Sequence, residues 1–192
     1  MLLYRRHYLA LADVNQQAFR SLARRNQVPR LPGDKPEWPA PQPSNLRADE
    51  EVDTFGYYPV EAIMLGIADA LVTQTSTSRD AAKLSVEAWP QFAMEATRRV
   101  EHGEVIFACF FTMSGKVGRV IGGEDDSLEK VPSFLCVGTF DEVTERLKTV
   151  ASNRSKPLGS ATLLNLTPLI SRASHLFDQL TDGQSLSKAM EN

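Results

Sequence analysis

The hydrophobic period of this chain changes at Gly103, and the change is hard to reconcile with an all-helical or an all-β fold. Upstream, "YYPVEAIMLGIADALV" repeats Ile63, Met64, Ile67, Ala68 and Leu71 along one helical face, with Pro59 suited to a first helical position. After a break at "TQTSTS" a further helix is expected from about Ser78, with Ala81, Ala82, Ser85, Val86 and Trp89 inward. Pro90 must kink or restart it, and Gly103 closes its continuation. Downstream, strand patterns take over. "EVIFACFFTM", a turn at Ser114-Gly115 and "KVGRVIGG" read as a β-hairpin, "PSFLCVGTF" as a further strand and "ATLLNL" as another. Helices follow two of these strands: "DEVTERLKTV", with Asp141 as cap, and "LISRASHLFDQL", with Thr167 as cap and Pro168 as first helical residue. The predicted class is α+β, a mainly helical N-terminal unit followed by a small C-terminal α/β domain over 103–182. Residues 183–192 are expected to form a disordered tail.

Charge is as unevenly placed as the period. Residues 1–35 hold seven basic residues against two acidic ones, a net of +5, while residues 36–192 hold fourteen against twenty-two, a net of −8. A basic end on an acidic body is compatible with nucleic-acid binding despite the overall charge of −3. Within the basic end, "DVNQQAFRSLARRNQVP" predicts a short helix: Asp13 can cap, Gln16 stands three residues later and Pro29 marks the exit. Ala18, Phe19, Leu22 and Ala23 form its apolar stripe, and Gln17, Arg20, Ser21 and Arg24 its opposite side. Residues 31–56 are rich in proline and end in an acidic cluster. They read either as a linker or as a β-containing wing with Trp38 at its base.

"LADVNQQAFRSLARRNQVP", followed after a wing-length segment by "YYPVEAIMLGIADALVTQTSTSRDAAKLSV", resembles winged helix-turn-helix regulators of the MerR-like kind, in particular divergent small bacterial and phage-type members. In that family a recognition helix ends in a phrase like RxxQxP, a wing follows, and a tyrosine-led helix pair completes the domain. The resemblance covers roughly residues 1–100 and implies a DNA-binding domain over 1–102, with its wing near 31–56. It implies a sequence-specific transcriptional regulator that binds double-stranded DNA as a homodimer. The long heptad-bearing dimer helix of the family is missing here, and so are the metal-sensing cysteines at its end. On such a helix Asn15, Gln16, Gln17 and Arg20 lie toward the end that enters the major groove, where Gln and Arg can bond adenine and guanine edges. Arg24, Arg25 and Arg30 are expected at phosphates, with Lys35 completing the basic set. The last helix repeats Leu169, Ile170, Ala173, Leu176, Phe177 and Leu180, more apolar than a lone surface helix requires, and is read as a dimerisation surface, the alternative being that the stripe packs wholly within its own subunit. The C-terminal half can dimerise, sense a small-molecule or protein effector, or do both.

Other classes find less in the sequence. Cys109 and Cys136 lie in apolar stretches, where thiols behave as small buried hydrophobes, and their separation without a nearby histidine suits no zinc site. As nucleophiles they would need His102 or His175 as a base, and no spacing ties these groups together; "EDD" at 124–126 is an isolated candidate for a cation. "SGKVGR" and "VIGGEDD" lack phosphate-loop spacing. The chain is therefore expected not to be an enzyme and to need no metal or cofactor. No apolar run approaches the roughly 20 residues that span a bilayer, and "MLLYRRHYLA" does not read as a secretion signal, so a cytoplasmic location is expected. The competing reading is a protein-interaction module, antitoxin-like or phage-associated, whose basic helix is only a solvated face.

Overall fold

The structure, a computed structural model, describes residues 1–32, 56–75, 77–88, 90–113, 133–152 and 158–191. Their elements run α1 (Arg5–Ala12), α2 (Gln16–Arg24), α3 (Pro59–Gln74), α4 (Arg79–Ala88), α5 (Pro90–Glu101), β1 (Phe107–Met113), β2 (Ser133–Gly138), α6 (Phe140–Ala151), β3 (Leu158–Asn165), α7 (Thr167–Thr181) and α8 (Leu186–Glu191). The fold is α+β, mostly helical with a three-stranded antiparallel sheet. The second arm of the expected hairpin at 116–123, the acidic run at 124–126, both tryptophans and nearly all of the 31–56 segment lie outside the described residues.

α3 is the centre. Pro59 opens it, and from Pro59 to Ala68 every residue is buried, followed by Ala70 and Leu71. A helix apolar on all sides must be covered on all sides, and α1, α4, α5, α7 and α8 all pack on it. Gly66 permits the tightest of these approaches: a Cβ there would stand 3.2 Å from the Ala12 carbonyl oxygen and 3.3 Å from Leu169 Cδ1, so α1 and α7 close on α3 at a position without a side chain. Pro90 restarts the helical run as expected, dividing α4 from α5.

The sheet has the order β2-β1-β3, with both neighbours antiparallel to β1. Both being antiparallel to β1, the outer strands β2 and β3 run parallel to each other, and α6 joins them as the crossover of a split βαβ unit with β1 inserted between its strands. Period-two alternation sorts β1 cleanly. Ala108 and Phe110 join the main core with Leu135 and Leu164, while Phe107, Cys109 and Phe111 face α6, where Val143, Leu147 and Val150 pack on them. The cap of α6 is Thr139 rather than Asp141: Thr139 Oγ1 accepts from the Glu142 amide at 3.4 Å and Glu142 Oε2 accepts from the Thr139 amide at 2.7 Å. Arg99 ties α5 to α6 and to the segment before β1, donating to Glu104 at 2.6 Å and lying 2.9 Å from Glu142.

α7 and α8 depart most from expectation. Thr167 is the first residue of α7, preceded by Leu166, and its hydroxyl accepts from the Ile106 amide at 2.8 Å. The α7 stripe is covered within its own chain: Ile170, Ala173 and Phe177 are 0% exposed, and α7 packs on α1, α3, α5 and α8. Leu180 alone of the stripe is largely open, at 44%. One core cluster runs from Leu3 to Met190, so the boundary read at 102/103 does not separate two cores. The expected disordered tail contains α8 instead, with Leu186 and Met190 buried one helical turn apart. Its first turn is capped from a distance, because Glu101 accepts hydrogen bonds from the Leu186 and Ser187 amides and from the hydroxyls of Ser185 and Ser187.

Phe177→Ala is expected to cost about 3–5 kcal/mol in urea unfolding, as a cavity in a closed core does. Leu180→Ala should change stability by under about 0.5 kcal/mol. Burial by itself would raise the Glu101 carboxyl, but the hydrogen bonds from Ser187 and Ser185 outweigh it and hold the group below its ordinary value. A depressed carboxylate stabilises the fold above its unfolded value of 4.5, and the contribution disappears as pH falls through the folded value. Amide exchange in 186–191, corrected for intrinsic rates, should therefore be constant from neutral pH down to about 5 and accelerate below 4.5. Glu101→Gln should open α8 at neutral pH and abolish that acid step.

Candidate nucleic-acid interface

α1 and α2 are joined by a turn of three residues, Asp13 to Asn15. Asp13 ends α1 in the left-handed region, at φ 60°, a conformation Asp tolerates better than most residues. Its amide and that of Val14 return to carbonyls of the last turn, Ala10 and Leu9. Asn15, not Asp13, is the cap of α2: its Oδ1 accepts from the Ala18 amide at 2.8 Å. The Asp13 carboxylate instead lies 3.4 Å from Arg172 of α7, which also donates to the Leu11 carbonyl. Arg172 thus offsets the one acidic residue of the described N-terminal segment, and only tertiary packing brings it there. After Arg24 the helix closes through Asn26 at φ 55°, and Gln27 returns its amide to Leu22.

The inner face of α2 is fixed by aromatic rings. Phe19 and Leu22 are buried; Phe19 meets Tyr8 edge-on at 5.8 Å and Tyr57 at 6.2 Å, while Tyr8 and Tyr57 stack at 4.3 Å. Tyr57 is itself sewn to the N-terminus, exchanging backbone hydrogen bonds with Leu3 at 2.8 and 3.1 Å. Ala23, expected in the apolar stripe, is exposed. The outer face carries Gln16, Gln17, Arg20, Ser21, Arg24 and Arg25, all exposed, and Asn15 at its start. Gln16, Arg20 and Arg24 succeed one another at single-turn spacing on one side. The first turn of α2 holds no acidic residue, so its amide end stays positive. Arg6 of α1 is exposed nearby in sequence, while His7 is held below its ordinary value by burial and by Arg6, and so is mainly neutral at pH 7.

Arg30 is not on this face. Its guanidinium lies 4.8 Å over the Tyr57 ring and 3.6 Å from Glu61 Oε2, and its amide donates to Glu87 at 2.9 Å. A carboxylate 3% exposed at the start of α3 draws the cation inward, and the expected phosphate contact becomes an internal clamp. Glu61 also accepts from the amides of Leu31 and Tyr58, both at 3.1 Å. Lys35 lies outside the described residues. Among the described residues no group of three or more His, Cys, Asp or Glu side chains is placed to hold a metal ion, and no helix is long and apolar enough to cross a membrane. His102, just past the end of α5, and His175, on α7, are exposed and bonded locally, to the Arg98 carbonyl and to Gln179.

No protein-family model matches the chain, and comparison with curated proteins and with solved structures gives no match.

The capping assignment has a direct check. Asn15→Ala should lower unfolding stability by about 1 kcal/mol. Asp13→Asn keeps the left-handed turn and loses only an exposed ion pair, so its effect should stay within about 0.5 kcal/mol.

Proposed function

We infer that this protein is a sequence-specific DNA-binding regulator of winged helix-turn-helix type, reading the major groove with α2 and binding as a dimer. The observation that carries this reading is the outer face of α2. Seven polar or cationic residues from Asn15 to Arg25 stand exposed on a helix whose opposite face is held rigidly by Tyr8 and Tyr57. The three-residue turn from α1 is the connection such a motif uses, and the first turn of α2 is the part that enters the groove. Gln16, Gln17 and Arg20 take base edges; Arg24 and Arg25, a turn further along, take phosphates. Asn15, with its oxygen committed to the cap, keeps only its amide hydrogens for DNA.

One helix reads too few base pairs for useful specificity, so two copies on two half-sites are required. The dimer surface has to lie away from the α7 stripe, which is covered inside the subunit. The acidic remainder of the chain orients the particle, keeping its body off the phosphates.

Selection from random DNA should recover an inverted repeat. On that site Arg20→Ala should weaken binding by about 1–3 kcal/mol, with little change on scrambled DNA, whereas Arg25→Ala should weaken both alike and reduce the salt slope by about 1. Equal losses on both DNAs for Arg20→Ala would make it a phosphate contact. A pool that shows no enrichment would leave the basic helix as a solvated face and favour a protein-interaction module.

A further inference from the structure

The ladder between β1 and β2 sets Cys109 directly opposite Cys136. Both side chains point to the α6 side of the sheet, and the two thiols hydrogen-bond to each other. Both are free. Their surroundings differ: Cys109, on the central strand, is 0% exposed, whereas Cys136, on an edge strand, is half-buried with Arg146 of α6 among its neighbours. No spacing in the sequence suggests this pair, because the cysteines stand 27 positions apart and only strand pairing brings them together.

We propose that Cys109 and Cys136 form a reversible dithiol–disulfide site that reacts with hydroperoxides, with Cys136 as the attacking sulfur and Cys109 as the resolving one. The Cys136 thiolate attacks one peroxide oxygen, the O–O bond breaks, and the other oxygen leaves, protonated, as water or an alcohol. Cys136 is then a sulfenic acid. Cys109 Sγ attacks Cys136 Sγ, the S–O bond breaks, the S–S bond forms, and a second water leaves with the Cys109 proton. The sulfur pair gives up two electrons and the peroxide takes them; a small dithiol reverses the change by exchange.

The division of roles follows from the environment. The hydrogen bond from Cys109 favours the Cys136 thiolate, burial opposes it, and Arg146 adds to the stabilisation, leaving Cys136 below the ordinary thiol value. The same hydrogen bond and burial push Cys109 up, which keeps it protonated until the sulfenic acid forms. Directly opposed residues in an antiparallel pair hold their Cβ atoms about 4.5–5.5 Å apart, at the edge of the roughly 3.5–4.5 Å that a disulfide takes, so a small local approach of the two strands closes the bond. The site is independent of the DNA-binding reading, since it lies in the sheet and uses none of the α2 residues.

The test treats the folded full-length protein with hydrogen peroxide and follows thiol titre and intact mass. The expected result is loss of both thiols within one chain, with a mass decrease of two hydrogens, restored by dithiothreitol. Cys109→Ser should stop at a Cys136 sulfenic acid that dimedone traps, and in Cys136→Ser the Cys109 thiol should persist over the same period. The proposal is overturned if the folded wild-type chain keeps both thiols and loses them only after unfolding in guanidinium. A disulfide that joins two chains, or Cys109 in Cys136→Ser oxidising as fast as in wild type, overturns it equally.

Discussion

α3 has no solvent face to spare. Twelve of its sixteen residues are buried, including Glu61, so the surrounding elements exist in large part to cover it. α1 and α7 reach it across Gly66, α4 and α5 from the helical run that follows it, and α8 from the far end of the chain. This single demand joins residues from Leu3 to Met190 in one core. It also explains why the α7 stripe is unavailable to a partner: its apolar area is consumed in removing α3 and α5 from water.

The basic unit rests on the same helix through two different interactions. The ring cluster of Tyr8, Phe19 and Tyr57 sets the tilt of α2 by packing. Glu61 works by charge and hydrogen bonding, collecting the Tyr58 and Leu31 amides and the Arg30 guanidinium at the positive end of α3. The segment leaving α2 is therefore tied to the start of α3. A buried carboxylate with these partners can be broken only at a cost, because removal of either side strands the other. The arginines of this region thus divide into two kinds: Arg30 is spent on cohesion, and Arg24 and Arg25 remain at the surface.

The sheet forms a second centre of organisation. Its β1 strand is shared between two apolar clusters, one toward α3 and its neighbours and one toward α6. Strand alternation alone accomplishes this, and it brings the two cysteines together on the α6 side as a by-product of register.

Local pattern by itself determined the helices around Pro59 and Pro90, the strands at 107–113, 133–138 and 158–165, and the amphipathic α2 with Phe19 and Leu22 inward. These depend on periods of 3.6 and 2 and on proline geometry, all of which act between near neighbours in sequence. Capping was legible only to within a residue or two: Asn15 and Thr139 hold the positions expected of Asp13 and Asp141, since several polar residues can cap and the backbone chooses among them. Tertiary structure alone decided the rest. The inward turn of Arg30 needs Glu61 thirty-one residues on, the α8 cap needs Glu101 some 85 residues back, and the Cys109–Cys136 pair needs a strand register. Whether α7 faced a partner or its own core was likewise undecided in sequence, because an apolar stripe states that it must be covered and carries no information about what covers it.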